Sequence, residues 1–307
     1  MGTRSLGRNT RKRIFIILFL LPTMICFGVF YLYPILTVVV TSFAKWDYTN
    51  LTSPQLYPIK ELFTNYKYIF QKYPYFPEAL RNSSIWALCG VVIQVPFAVI
   101  VAIALSRKLR GWKIARNVFI IPNVISSAAM GLIFLQLYNP KYGVINQIIR
   151  LFNPDFVDNI LLIPKINFIA MTCSYIFFAG TSMLMVLGQI FAIPTEIYEA
   201  AILDRASGWR REWYITLPLI KDTLKTICIL SASSGFLLYN EVYFLTNGAA
   251  GTRSISFIIR ELAVVSPRAQ YARANAVGTV QILGGMVIIL LINLMFGGIH
   301  RKGGRKK

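Results

Sequence analysis

The sequence predicts an all-α polytopic membrane protein with six transmembrane helices, and three observations carry that prediction. The 307 residues are 56% hydrophobic and only 14% charged, with a mean hydropathy of +0.57, whereas a soluble domain carries about 25% charged residues. The apolar residues are gathered into separate blocks, each near the roughly 20 residues a helix needs to cross the hydrocarbon layer. The 32 Lys and Arg residues concentrate in alternate connections between those blocks. The blocks must be helical, because lipid offers no partner to an exposed backbone N–H or C=O.

A basic tail, residues 1–13, precedes the first span, Ile14 to Phe43. Pro22 and Pro34 predict a tilt or kink there. The run is too long for the apolar part of a secretory signal and no A-x-A site comes after it, so the sequence is read as retaining it. The next spans are Ser83 to Leu105, Val118 to Tyr138, Ile166 to Ile193, Thr226 to Leu245 and Val277 to Phe296. The membrane domain thus runs over 14–299, with a polar loop at 194–218 inside it and a second basic tail at 300–307.

Charge sets the expected orientation. Twenty of the 32 basic residues lie in four alternate segments: the amino-terminal tail, Arg107 to Arg116, the 194–218 loop with its flank to Lys225, and Arg301 to Lys307. The positive-inside rule assigns these to the cytoplasm with both termini, as an even number of spans requires. The other 12 are spread over three longer connections, where Lys45, Lys60, Lys67 and Lys72 mix with Asp47, Glu61 and Glu78. Those face outside. The net charge of +20 is therefore mostly topological, with some attraction to anionic lipid heads. No nucleic-acid recognition motif accompanies it, and no nucleic-acid partner is expected.

Little in the sequence points to catalysis. The lone histidine, His300, has no ligand set around it, and Cys26, Cys89, Cys173 and Cys228 fall in or beside apolar spans with no C-x-x-C spacing. They read as small core residues, so no catalytic group and no metal site is expected. No G-x-x-x-x-G-K-[ST] loop occurs either. Any ATP hydrolysis must come from another polypeptide.

The most informative stretch is Glu199 to Pro218, EAAILDRASGWRREWYITLP. Ala200 and Ala201 would let a partner's backbone approach closely, while Glu199, Asp204, Arg205, Arg210, Arg211 and Glu212 offer charge to a water-facing protein contact. The segment resembles the EAA signature of the membrane-spanning permease subunits of bacterial ATP-binding-cassette importers. Glu199, Ala200, Ala201, Ile215, Leu217 and Pro218 fall in its register. Arg205 stands where that pattern has glycine, with Gly208 three residues on. An Arg with positive φ costs roughly 1 kcal/mol or more, so the sequence predicts that the turn moves to Gly208 or that Arg205 continues the helix. The resemblance implies that Glu199, Ala200, Ala201, Asp204, Arg205, Gly208, Leu217 and Pro218 couple the chain to an ATPase.

Further segments, FLLPTMICFGVFYLYPILTVVVTSF, NYKYIF and LSRKLRGWKIARNVFIIPNVISSAAMGLIFLQLYNPKYGVIN, are similar to the carbohydrate-uptake branch of these permeases, the maltose and glycerol-3-phosphate group. FLTNGAAGTRS is similar to a loop whose usual form is closer to LTGGGP, from which Asn247, Ala249 and Ala250 depart. The resemblance implies a type I importer architecture in a bacterial plasma membrane, and a second permease subunit. Two ATPase domains carrying ATP and Mg, and an extracellular or periplasmic solute-binding protein, complete the assembly it implies. This chain itself is expected to hold no cofactor.

Polar groups at membrane depth are costly and favour a cavity or a partner helix. Gln94, Gln136, Gln189, Asn240 and Glu241 are the candidates for the substrate path, with Tyr239 and Tyr243 as aromatic faces for a sugar. Each could equally bond a neighbouring helix or meet solvent. A permease for glycerol-3-phosphate or another solute, a secondary transporter and a membrane-embedded enzyme stay open at this point, although no internal repeat and no polar catalytic cluster favours the last two.

Overall fold

The computed structural model describes residues 8–303 apart from 155, 157 and 207, with side chains for all of these except 8–11, 177 and 298–303. The outer parts of both basic tails, 1–7 and 304–307, lie outside the described residues. The principal helices are α1 (Lys12–Thr41), α2 (Tyr75–Ser106), α3 (Trp112–Val124), α4 (Ser127–Leu137), α5 (Val144–Phe152), α6 (Ile166–Phe191), α7 (Thr195–Leu203), α8 (Lys221–Phe236), α9 (Ile255–Arg260) and α10 (Tyr271–Gly303). The all-α expectation holds, with one addition, a two-stranded antiparallel pair of β1 (Ala44–Lys45) and β2 (Gln55–Leu56).

Among the described residues four helices, α1, α2, α6 and α10, are long and apolar enough to cross a membrane. Two expected spans differ from continuous helices. The run 118–138 is divided between α3 and α4, which bend by 102°. Ile125 is extended there, and Ser126 opens the next helix by accepting the Ala129 N–H at 3.3 Å, a side-chain cap that starts a helix rather than continuing one. The run 226–245 ends at Phe236, breaks over 237–239 and resumes as a short helical turn through Thr246. At 16 residues α8 spans about 24 Å, short of the bilayer core.

Three prolines are accommodated in the same way, whereas Pro22 and Pro122 lie within plain α-helix. The π-helical turns Gly28–Leu32, Gly90–Gln94 and Glu212–Thr216 each end two residues before a proline, Pro34, Pro96 and Pro218. In each, the N–H just before the proline reaches back to the first carbonyl of the turn: Tyr33 to Gly28, Val95 to Gly90, Leu217 to Glu212. A proline has no N–H and its ring crowds the carbonyl four residues earlier; one wider turn makes room without breaking the helix. Thus α1 continues through Pro34 as one helix.

The chain divides into two compact units. The first holds residues 1–72 and 262–279. In it the start of α10 is tied to the connection after α1: Asn275 donates to Thr41 Oγ1 at 2.7 Å, the Ala272 N–H to the Trp46 carbonyl at 3.0 Å, and Arg273 lies 3.6 Å over the Tyr68 ring. Buried Asn65 donates to the Ser42 and Ala44 carbonyls, both at 2.8 Å. Most of α1 is exposed.

The second unit holds residues 73–261 and 280–307. Its core joins α2, α6 and α8 through buried Ala98, Ala102, Met183, Val186, Ile227 and Ala232. Two glycines permit backbone contact between α2 and α8, since a Cβ on Gly90 would stand 2.5 Å from the Ser231 carbonyl oxygen and one on Gly235 would run into that of Trp86. Small residues at such crossings are how membrane helices gain packing without a hydrophobic drive between them. Trp86 stacks on Phe168 at 4.8 Å and donates to Thr172 Oγ1 at 3.1 Å, fixing α2 against α6.

Candidate functional site

The break after α8 builds a cavity. Leu237 leaves the helix, and its carbonyl accepts from Ser256 Oγ at 3.1 Å; Ser256 accepts in turn from Gln281 Nε2 at 2.7 Å. With the Leu237 carbonyl satisfied in this way, the chain can turn there and bring 239–241 beside α2 and α6. A cavity of about 510 Å³ opens beside it, and its polar lining includes Gln94, Asn123, Tyr239, Asn240 and Glu241.

Four of the seven expected path residues, Gln94, Tyr239, Asn240 and Glu241, therefore share one cavity. Gln94 is buried and donates to the Tyr175 carbonyl at 3.4 Å, so it also ties α2 to α6. Glu241 is half-buried and forms no ion pair among the described residues. Tyr243 does not line the cavity; its ring stacks on Tyr239 at 5.7 Å with planes 8° apart, and Arg260 covers it at 4.4 Å. Gln136 and Gln189 are exposed and lie outside the cavity. Asn123 was not among the candidates: its Nδ2 donates to the Phe178 carbonyl at 3.2 Å and its Oδ1 accepts the Gly180 N–H at 3.0 Å. A polar residue directly after Pro122, near the α3 break, is the signal that could have found it.

In the signature loop, Glu199 and Ala200 are exposed on α7, while Ala201 is buried, so only part of the small-residue pair is open to a partner. Asp204, Arg205, Gly208 and Pro218 are exposed, and Leu217 is half-buried. The expected charge array needs correction at two places. Glu212 is buried, with Arg211 Nη2 at 2.7 Å from Oε1 and Thr216 donating to Oε2 at 2.7 Å. Arg211 is partly covered and lies 5.0 Å over the Tyr198 ring. These two charges satisfy each other inside the loop instead of facing water, because a buried carboxylate needs such partners.

The turn also differs from both sequence expectations. Arg205 itself takes the left-handed conformation, φ 55. The Arg205 N–H bonds the Ile202 carbonyl at 3.0 Å and the Ala206 N–H bonds the Ala201 carbonyl at 2.8 Å, the paired bonds that close a helix over a left-handed residue. Gly208 has positive φ as well, 58.

The family of binding-protein-dependent transport system inner membrane components matches residues 94–302, more than half of the chain and the whole signature loop. The chain belongs to this family. It is 30% identical over 295 residues to the probable ABC transporter permease protein YurN of Bacillus subtilis, covering 93% of this chain and 95% of that one. It is 26% identical over 281 residues to the multiple sugar-binding transport system permease protein MsmF of Streptococcus mutans, covering 90% and 93%. In fold it is similar to a chain of a bacterial ABC transporter involved in the import of alginate, with TM-score 0.79 and 21% identity over 95% of this chain and 98% of that one. A like chain occurs in that transporter's complex with an alginate pentasaccharide-bound periplasmic protein, with TM-score 0.78 and 21% identity over 94% and 96%. As an inner membrane component of this family the chain is a transport subunit, an ABC permease, and not an enzyme.

For this permease, the loop 246–255 shows how departures from glycine are absorbed. Asn247 and Ala250 carry φ 48 and 50 beside Gly248 and Gly251 at 74 and 80. The strained turn is pinned from outside itself: Asn82 donates to the Gly251 and Arg253 carbonyls at 2.9 and 3.0 Å, and Asn167 to the Ala250 carbonyl at 2.9 Å.

Proposed function

We propose that this chain forms half of the path of an ATP-driven importer for uncharged, polyhydroxylated solutes of the sugar class. The observation that carries this reading is the cavity at the broken fifth segment, where Gln94, Asn240 and Glu241 offer amide and carboxylate groups beside the Tyr239 ring. Amides and a carboxylate can meet several hydroxyls at once, and an aromatic face suits the apolar side of a sugar ring. The residues lining the cavity include no Lys, Arg or His. That favours a neutral cargo over glycerol-3-phosphate, whose charge would meet Glu241 without a counter-ion among the described residues that line the cavity. MsmF, by its name a sugar-system permease, supports the same class.

In this reading six segments cross the membrane, the third and fifth as broken spans, and both termini are cytoplasmic. The loop 194–218 docks on a separate ATPase through Glu199, Ala200, Ala201, Asp204, Arg205, Gly208, Leu217 and Pro218. A second, similar permease subunit, two ATPase domains holding ATP and Mg, and an external solute-binding protein complete the importer. Closure of the ATPases draws the loops together, and only a contact that differs between states can shift the chain between inward-open and outward-open forms.

Uptake of a labelled neutral oligosaccharide by cells carrying Glu241→Gln or Glu241→Ala tests the cargo role. Gln keeps the shape and part of the hydrogen bonding, so Ala is expected to impair uptake more than Gln while membrane assembly is unchanged. Full affinity and rate in both variants would remove Glu241 from the path.

A further inference from the structure

A second cavity, of about 630 Å³, carries charge of the opposite sign. It lies where α2 ends at Ser106, α6 ends at Phe191 and the signature loop begins and returns. Arg107, Lys108 and Arg211 line it, with Glu212 as the single carboxylate and Thr195 and Tyr198 among its hydroxyls. Glu212 is already used by Arg211 and Thr216. Arg107 forms no ion pair among the described residues, and the charged end of Lys108 rests 5.0 Å over the Phe191 ring. The Nε of Arg211 is buried with no hydrogen-bond partner among the described residues, an arrangement that costs about 1–3 kcal/mol unless a ligand or water meets it.

Three cations and several hydroxyls around one occupied carboxylate leave an excess of donors and of positive charge. We propose that this cavity binds a phosphate group. Guanidinium and ammonium groups with flanking hydroxyls match phosphate oxygens in charge and geometry. The cavity sits at the ends of two long apolar helices, the depth at which lipid headgroups lie, and on the side that the positive-charge pattern assigns to the cytoplasm. Basic pockets between helices at that level suit anionic headgroups. A bound phosphate would join the end of α2 to the root of the signature loop through Arg107 and Arg211, stiffening the segment expected to transmit force.

The test uses the full-length chain with its partner subunits, purified and placed in nanodiscs of phosphatidylglycerol or of phosphatidylcholine alone, or kept in detergent with or without inorganic phosphate, with the thermal midpoint as readout. The phosphate of phosphatidylcholine is neutralised and crowded by its own choline cation, so a site for an anionic phosphate is expected to raise the midpoint by about 5 °C in phosphatidylglycerol over phosphatidylcholine. The double variant Arg107→Gln/Lys108→Gln loses that rise, and Arg110→Gln/Lys113→Gln, an equal loss of charge outside the cavity, keeps it. A rise in phosphatidylglycerol alone assigns the site to a lipid headgroup; a rise with inorganic phosphate in detergent, lost in the first variant, assigns it to free phosphate. No rise in the wild type under either condition, or an equal loss in both double variants, overturns the proposal.

Discussion

The Ala206 N–H donates to the Ala201 carbonyl at 2.8 Å, closing the end of α7 over Arg205. The left-handed residue inside that closure is Arg205, at φ 55. An L-residue with a Cβ is strained in that conformation, whereas glycine is not.

Arg205→Gly should therefore stabilise the chain by about 1 kcal/mol, read as a raised thermal midpoint, with uptake preserved or improved. A lowered midpoint, or a severe loss of ATPase binding, would show that the Arg side chain makes a contact worth more than the backbone strain. Ala250→Gly, at φ 50, should behave like Arg205→Gly in stability, while Ala249→Gly should give no gain.

Glu212 should matter structurally more than its exposed neighbours. Removing it in Glu212→Ala leaves the partly covered Arg211 without its carboxylate and Thr216 Oγ1 with only the Tyr198 hydroxyl at 3.3 Å, at a cost of about 2 kcal/mol. Glu212→Gln keeps a group for Thr216 to donate to and should cost less. Equal midpoints for Glu212→Ala and wild type would mean that the loop does not depend on this pair.

Topology is open to direct labelling. Single cysteines at Arg110 and Tyr57, in a background lacking Cys26, Cys89, Cys173 and Cys228, should react with an impermeant maleimide from opposite sides of the membrane. Reaction of both from outside intact cells would overturn the six-span arrangement and the cytoplasmic assignment of the signature loop.

Features differed in how legible they were because each leaves a different kind of signal in the chain. Long apolar runs mark α1, α2, α6 and α10 because hydropathy measures solvent preference, and the register from Glu199 to Pro218 is a pattern of residue identities. The break at Ile125–Ser126 carries a mark in Pro122 and the capping Ser126, but the one over Leu237, Leu238 and Tyr239 left none. Leu-Leu-Tyr is as apolar as the helix before it, and the partner that satisfies the Leu237 carbonyl, Ser256, lies 19 residues away in sequence. Glu212 read as a solvent-facing charge for a different reason: its partners are local, Arg211 one residue before it and Thr216 four after, but nothing in that pattern of residues told that the turn buries the carboxylate. The proline-linked π-turns sit at a fixed offset before Pro34, Pro96 or Pro218, but Pro22 and Pro122 have none, so a proline alone does not foretell one.

The most direct measurement of the central claim, an ATP-coupled permease acting through the signature loop, is uptake and ATP hydrolysis in proteoliposomes of the assembled transporter carrying Glu199→Lys. Glu199 is exposed on α7, so charge reversal spares folding but sets a like or unpaired charge against a docked partner, costing several kcal/mol at the contact. The account predicts normal membrane insertion with both uptake and solute-stimulated ATP hydrolysis reduced by about tenfold or more. Wild-type uptake and wild-type stimulation in the Glu199→Lys transporter would contradict it.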